Sequence, residues 1–167
     1  MFMLKCHELL GFVTPALAQE VIEYAFASDK PLYRAVLAAV ADANRVRPVF
    51  LEKKPRTQRH SEMASVLSRP RLEEAAANLL RGWLLKAQTS ILTDFLDALG
   101  IPHEKGVVED FPETLDDAKL KSAVDLLLSK HPAEKVIVYL NTVQSTGGVN
   151  WENLEQMLQN DPRLQLG

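Results

Sequence analysis

The chain has 167 residues, of which 47% are hydrophobic and 25% charged, and a formal net charge of −3. This length buries a core without disulfides or metals and excludes wholesale disorder, while the negative balance removes any global pull toward nucleic acid or a membrane surface. The single cysteine, Cys6, excludes an intramolecular disulfide, and no apolar run approaches a bilayer span of about 18–20 residues, so a cytoplasmic protein is expected.

Near the N-terminus, Pro15-Ala16-Leu17-Ala18 before Gln19 has the small-residue look of a signal-peptidase site. His7 and Glu8 interrupt the apolar stretch that a leader needs, so the segment reads instead as a short amphipathic helix. Thr14-Pro15 then has the form of an N-cap followed by proline in the first turn, opening a helix to about Ala27 that buries Leu17, Val21, Tyr24 and Ala25. Asp29 and Pro31 start the next, with Leu32, Val36, Ala39 and Val40 inward and Val46 near its end, where Arg47-Pro48 breaks it. Val49-Phe50-Leu51 reads as a short apolar anchor, and a helix from about Thr57 to Leu67 follows with Met63, Val66 and Leu67.

The longest periodic stretch is Pro70–Leu99. Leu72, Ala76, Leu79, Trp83, Ala87, Ile91, Phe95 and Leu99 recur at three- and four-residue steps, the stripe of an α-helix. Leu80, Leu84 and Leu96 widen the stripe, so other helices must wrap it. Glu73 and Glu74 fall in the first turn, where the helix dipole favours carboxylates. Gly82 predicts a close helix crossing or a kink, Thr89-Ser90 a second bend, and Gly100-Ile101-Pro102 a clean stop.

Residues 100–113 form a connector without periodicity. Thr114 and Asp117 resemble a capping box opening a helix to about Lys130, with Leu120, Val124, Leu127 and Leu128 buried. Pro132 opens another, carrying Val136, Ile137, Leu140 and Val143; its Val-Ile-Val-Tyr-Leu stretch suits a strand by propensity, but no partner strand exists. Gly147-Gly148 turns the chain, and Asn150 caps a last helix with Trp151, Leu154, Met157 and Leu158. Ser28-Asp29-Lys30-Pro31 and Ser129-Lys130-His131-Pro132 each separate two such helices, suggesting an αα-hairpin at either end.

Catalytic signatures are missing. There is no phosphate-binding glycine loop, no His-Glu-x-x-His, no Gly-x-Ser-x-Gly and no Cys-x-x-Cys. His7, His60, His103 and His131 are scattered, and Cys6 and His7, as helix neighbours, point about 100° apart. The acidic run Glu109, Asp110, Glu113, Asp116, Asp117 lacks the alternating spacing of a calcium loop. No cofactor or metal is expected.

Charge is segregated along the chain. Residues 45–71 hold eight basic and two acidic side chains, a net +6; residues 94–125 hold three basic and nine acidic, a net −6. Three readings compete: the two segments pair within the chain, the basic one docks an acidic partner, or it binds nucleic acid. The last is disfavoured because no aromatic follows Phe50 for base stacking.

The sequence thus predicts an all-α domain over 1–167, a multi-helix bundle of about eight helices around a long central helix at about 70–99, with αα-hairpins at both ends. Within it, 1–100 would form the larger layer, 100–113 a connector and 114–167 a three-helix unit. The expected function is a non-enzymatic protein-interaction or scaffold module, acting on a protein partner or on itself through Lys53, Lys54, Arg56, Arg59 and His60. The enzymatic alternative places a polar cleft at His103, Glu104, Glu109 and Asp110; a second alternative is weak nucleic-acid or phosphate binding through 45–71.

Overall fold

The computed structural model describes residues 4–166, which form ten α-helices and two short 3-10 turns with no strand among the described residues. The all-α class follows. The chain divides into two compact units, Lys5–Trp83 and the residues from Leu84 onward with Leu4. The sequence places a subdivision at the 100–113 connector; the division by contact falls earlier, between Trp83 and Leu84.

The first unit contains α1 (Cys6–Phe12), α2 (Pro15–Ser28), α3 (Lys30–Ala43), α4 (Pro48–Glu52), α5 (Arg56–Leu67), a 3-10 turn at Pro70–Leu72 and the first part of α6 (Glu73–Ala87). The Thr14 side chain accepts from the Leu17 amide at 3.3 Å, and Pro15 stands in the first turn as expected. Asp29 ends α2 and begins α3, its carboxylate accepting from the Leu32 amide at 3.2 Å, so one residue makes the whole helix–helix junction. α5 packs on α1, α2 and α3 and buries Met63, Val66 and Leu67. At Gly82 an added Cβ would come within 3.0 Å of Leu32 Cδ2, which is the close approach of α3 that the mid-helix glycine predicts.

The second unit contains α7 (Thr89–Leu99), α8 (Asp117–Lys130), α9 (Ala133–Thr146), α10 (Glu152–Asn160) and a 3-10 turn at Pro162–Leu164. α9 is buried on every side from Val136 to Gln144. A helix enclosed all round must satisfy its polar side chains internally. Asn141 donates to the Ile137 carbonyl and accepts from the Leu4 amide, Thr142 donates to the Val138 carbonyl, and Gln144 donates to the Trp151 carbonyl. Phe95 on α7 packs edge-to-face on Tyr139, with ring centroids 5.4 Å apart.

Several expectations are corrected. Pro70–Leu99 is not one helix: it is the 3-10 turn, α6 and α7, broken at Gln88, whose φ of −119° and ψ of 34° leave the helical region. Thr89 turns its hydroxyl back onto the Leu85 carbonyl at 2.6 Å, the local competition that bends helices. The apolar stripe itself is real, since Trp83, Ile91 and Phe95 are all buried. α3 ends at Ala43, short of Val46, and the cap of α8 is Asp116 rather than Thr114, accepting from the Lys119 amide at 2.9 Å. α10 begins after Trp151, with no capping side chain from Asn150. The two Ser-x-x-Pro junctions differ in their capping: Asp29 caps α3 by its side chain, whereas Pro132, at the N-cap of α9, cannot.

One carboxylate ties α1 to α6. Glu73 accepts from the Cys6 amide at 3.3 Å, the His7 amide at 2.9 Å and His7 Nδ1 at 2.7 Å, capping α1 from another element. Burial would raise its carboxyl, but the bonds from His7 and Cys6 outweigh that and hold it below the ordinary value. A depressed carboxyl stabilises the fold above the unfolded-state value and loses that contribution as pH falls through the folded one. Glu73→Gln should therefore lower the urea midpoint near neutral pH, and the gap to wild type should narrow as pH falls through the depressed value of the folded carboxyl. A gap independent of pH would show that the charge is not what matters.

Candidate functional site

The basic segment that the sequence treats as one face is split in two by the fold. α3 ends in a Schellman arrangement, with the Arg45 amide on the Asp42 carbonyl and the Val46 amide on the Ala41 carbonyl, both at 3.0 Å. That motif needs a left-handed residue, and Arg45 takes the position at φ 57°. Glycine is the usual occupant; a side chain there is strained by about 1–2 kcal/mol. The next helix, α4, is too short to present more than one side inward. Leu51 goes in; Val49 and Phe50 do not, being 45% and 54% exposed, and Val46 is 40% exposed. The expected apolar anchor is thus anchored by Leu51 alone.

Around these three apolar side chains stand Arg45, Arg47 and Lys53, all exposed. Lys53 lies over the Phe50 ring, 5.7 Å from its centroid. None of the three cations makes an ion pair among the described residues. Lys54 and Arg56 are partly neutralised: Lys54 Nζ is 2.6 Å from Glu62 Oε1 and Arg56 Nε is 3.6 Å from Glu23 Oε2.

Arg59 and His60, by contrast, face inward and are not part of a binding face; His60 is fully buried and Arg59 8% exposed. Arg59 Nε donates to the Tyr33 hydroxyl at 2.8 Å and its Nη1 to the Glu52 carbonyl at 3.1 Å. The Tyr33 hydroxyl also lies 2.8 Å from His60 Nε2, and His60 Nδ1 lies 2.6 Å from Glu23 Oε2, an ion-pair approach set off the direction of a hydrogen bond. Donor chemistry assigns the protons. Arginine only donates, so Tyr33 accepts from it and gives its own proton to Nε2. Nδ1 then carries the ring proton, which lies near the Glu23 carboxylate but off the direction of a hydrogen bond. Burial lowers the His60 pKa, with Arg59 and Arg56 acting the same way against Glu23, so the ring is neutral. Burial also raises the Tyr33 phenol, which keeps the proton it donates. Phe26 packs edge-to-face on Tyr33 and His60 and lies beneath the guanidinium groups of Arg56 and Arg59. With the Tyr33 oxygen occupied from both sides, this chain of groups holds α2, α3 and α5 together and offers no free reacting atom.

The alternative cleft does not assemble as a converging set. His103 Nε2 is 2.7 Å from Asp97 Oδ1, and its Nδ1 accepts from the Gly106 amide at 3.0 Å, so both ring nitrogens are engaged in shaping a turn. That turn pairs Glu104 with Val107 through backbone bonds of 2.9 and 3.0 Å, with Lys105 and Gly106 both at positive φ, the pattern of a two-residue hairpin turn. Glu104, Glu109 and Asp110 are exposed. A groove of about 710 Å³ in the second unit is lined instead by residues of α8, α10 and the final 3-10 turn, among them Asp117, Lys121, Met157 and Arg163. No group of three or more His, Cys, Asp or Glu among the described residues is placed to hold a metal ion.

The acidic segment is nevertheless ordered. Trp151 Nε1 donates to the Pro112 carbonyl at 2.9 Å, Phe111 packs edge-to-face on Trp151, and Asn153 donates to the Leu115 carbonyl and Asp117. In the acidic segment Asp94 pairs with Lys130 and His131, and Asp125 with Lys121 and Arg163. Compared with protein-family models, curated proteins and solved structures, the chain matches none.

The residues the sequence reading missed are Glu23, Phe26 and Tyr33 as partners of α5, and Val46, Val49 and Phe50 as surface. Spacing carried part of the signal: Arg59 and His60 stand three to four residues before Met63, which stands three to four before Val66 and Leu67, so all share one helix face. Replacing Tyr33 by Phe removes the shared oxygen and leaves Arg59 Nε and His60 Nε2 unpaired in the interior. Tyr33→Phe should cost about 1–3 kcal/mol in denaturant unfolding. A loss below a few tenths would show that the network does not hold α5.

Proposed function

We propose that the chain is a non-enzymatic binding module whose contact surface is the face at residues 45–53. The observation that carries this reading is the exposure of Val46, Val49 and Phe50 within one short stretch that also holds the exposed cations Arg45, Arg47 and Lys53. Apolar side chains rimmed by unpaired charge have the composition of a docking surface, with an anchor at the centre and a polar rim. Arginine and phenylalanine are among the residues enriched at such contacts. The reading also accounts for the engaged state of the other polar groups. Arg59, His103 and Glu73 have their polar atoms engaged in holding helices or turns, and His60 is buried with its Nε2 on the Tyr33 hydroxyl. No helix of the described residues is long and apolar enough to cross a membrane.

The contact surface therefore differs from the five residues that the sequence singles out. Lys53 stays, Lys54 and Arg56 lie at its margin, and Arg59 and His60 leave it. The test is affinity recovery from cell extract with the wild-type chain, with Arg47→Glu/Lys53→Glu/Phe50→Ser, and with Lys54→Glu as the marginal control. Proteins recovered by wild type should be lost from the triple variant and kept by Lys54→Glu. Recovery that is the same with the triple variant, or no recovery above bare matrix from an extract that contains this chain itself, would overturn the assignment.

A further inference from the structure

We propose that the partner of the 45–53 face is a second copy of this chain, engaged through its acidic segment at 107–113. This rests on reading the face as a protein-binding surface and adds the identity of what it binds.

The two surfaces are complementary in charge and in kind. The face offers Arg45, Arg47 and Lys53 around Val46, Val49 and Phe50. The segment offers Glu109, Asp110 and Glu113, all exposed and in no ion pair among the described residues, beside Val107 at 53% exposure. The face therefore holds three cations against one carboxylate, Glu52, the segment holds three carboxylates, and each has at least one uncovered apolar side chain. Opposite charges steer the encounter and fix its register, while the apolar groups contribute area removed from water.

Both surfaces are also shaped beforehand. The Arg45 turn is closed by two backbone hydrogen bonds, and the acidic segment is pinned by the Glu104–Val107 bridge at one end and by Trp151 on Pro112 at the other. Little ordering is left to be done on contact, which lowers the entropy lost on binding. A nucleic acid or an anionic bilayer would be drawn to Arg45, Arg47 and Lys53 equally, but would also meet a chain of net charge −3. The acidic segment of another copy carries its charge locally, and its own need for cations is met in the same contact. Each copy supplies one face and one segment. Two such contacts close a two-fold pair, and one-way contacts run on into a chain of copies.

The test is sedimentation equilibrium of the purified full chain at low ionic strength. The variants are Arg47→Glu/Lys53→Glu, Glu109→Lys/Asp110→Lys, and a one-to-one mixture of the two. Wild type should associate, each variant alone should lose at least about tenfold in association, and the mixture should regain it, because the reversed face of one variant meets the reversed segment of the other while the unchanged face and segment meet in the second contact. Salt well above physiological strength should weaken the wild-type complex, because exposed charges are screened. Arg45→Gly gives an independent check that does not depend on a fragile fold: it relieves the positive φ and should unfold no more easily than wild type, yet associate less tightly.

A wild type that sediments as a monomer throughout, or a mixture that fails to recover, overturns the second-copy assignment. So does retention on DNA or anionic vesicles that replaces self-association and is lost in Arg47→Glu/Lys53→Glu. The underlying reading is distinguished by the extract recovery. Patch-dependent recovery of other proteins with a monomeric wild type removes only the partner's identity, and a double reversal without effect on either measurement removes both.

Discussion

The Tyr33 hydroxyl is shared by two groups that cannot both be left without it. Arg59 needs an acceptor inside the protein, and neutral His60 needs a donor at Nε2; a phenol supplies both through one oxygen. This fixes the rotation of α5 about its axis. Turning α5 by one residue, about 100°, would carry Arg59 to water but also drag Met63 and Val66 off the core. The polar pins and the apolar stripe therefore select the same orientation. Agreement between two independent kinds of interaction is what lets a charged residue be buried without loss of a unique packing.

That orientation decides what the basic segment can do. With Arg59 and His60 inside, the cations left for outside contacts are those before α5, where the backbone is a tight turn and a five-residue helix. A short helix cannot hide three apolar side chains and a flanking arginine at once. Leu51 is buried, and the rest of α4 becomes surface. The second unit follows the same logic with different chemistry. α9 is enclosed, so its polar side chains turn back on carbonyls four residues earlier or reach Leu4 and Trp151. Trp151 in turn holds Pro112 and Phe111, and an acidic stretch without periodicity becomes a fixed surface.

Local signals in the sequence read well because their physics is local. Thr14, Asp29 and Gly100 act within one turn of where they stand, and each does in the structure what its side chain or backbone freedom implies. The apolar periodicity of 70–99 also survives, since Trp83, Ile91 and Phe95 are buried. What periodicity could not reveal is continuity. A stripe with a three- to four-residue step passes through Gln88 without interruption, because one non-helical residue shifts the phase too little to be noticed. The sidedness of charge was the harder loss. Arg59 and His60 look like neighbours of Lys53 and Lys54 in a linear list of cations, and only the helix face they share with Met63 separates them. Their partners, Glu23 and Tyr33, lie about 25 to 40 residues away on other helices, beyond any local pattern.

Two residues sit against backbone preference, and both lie in the surfaces that remain unpaired. Arg45 closes α3 at φ 57°, and Lys105 leads the acidic turn at φ 53°. Each position favours glycine, asparagine or aspartate, and neither side chain makes an ion pair among the described residues that would offset the strain. A chain selected only for stability would relax both positions. The arginine is better understood from outside the fold than from within it. Its side chain is exposed beside Val46 and Arg47 and adds charge to the surface there. Lys105 stands next to Glu104 and a few residues before Glu109 and Asp110, and its charge limits how far that stretch repels itself. Both departures sit in exposed tight turns, where a side chain at positive φ costs stability without disturbing the core.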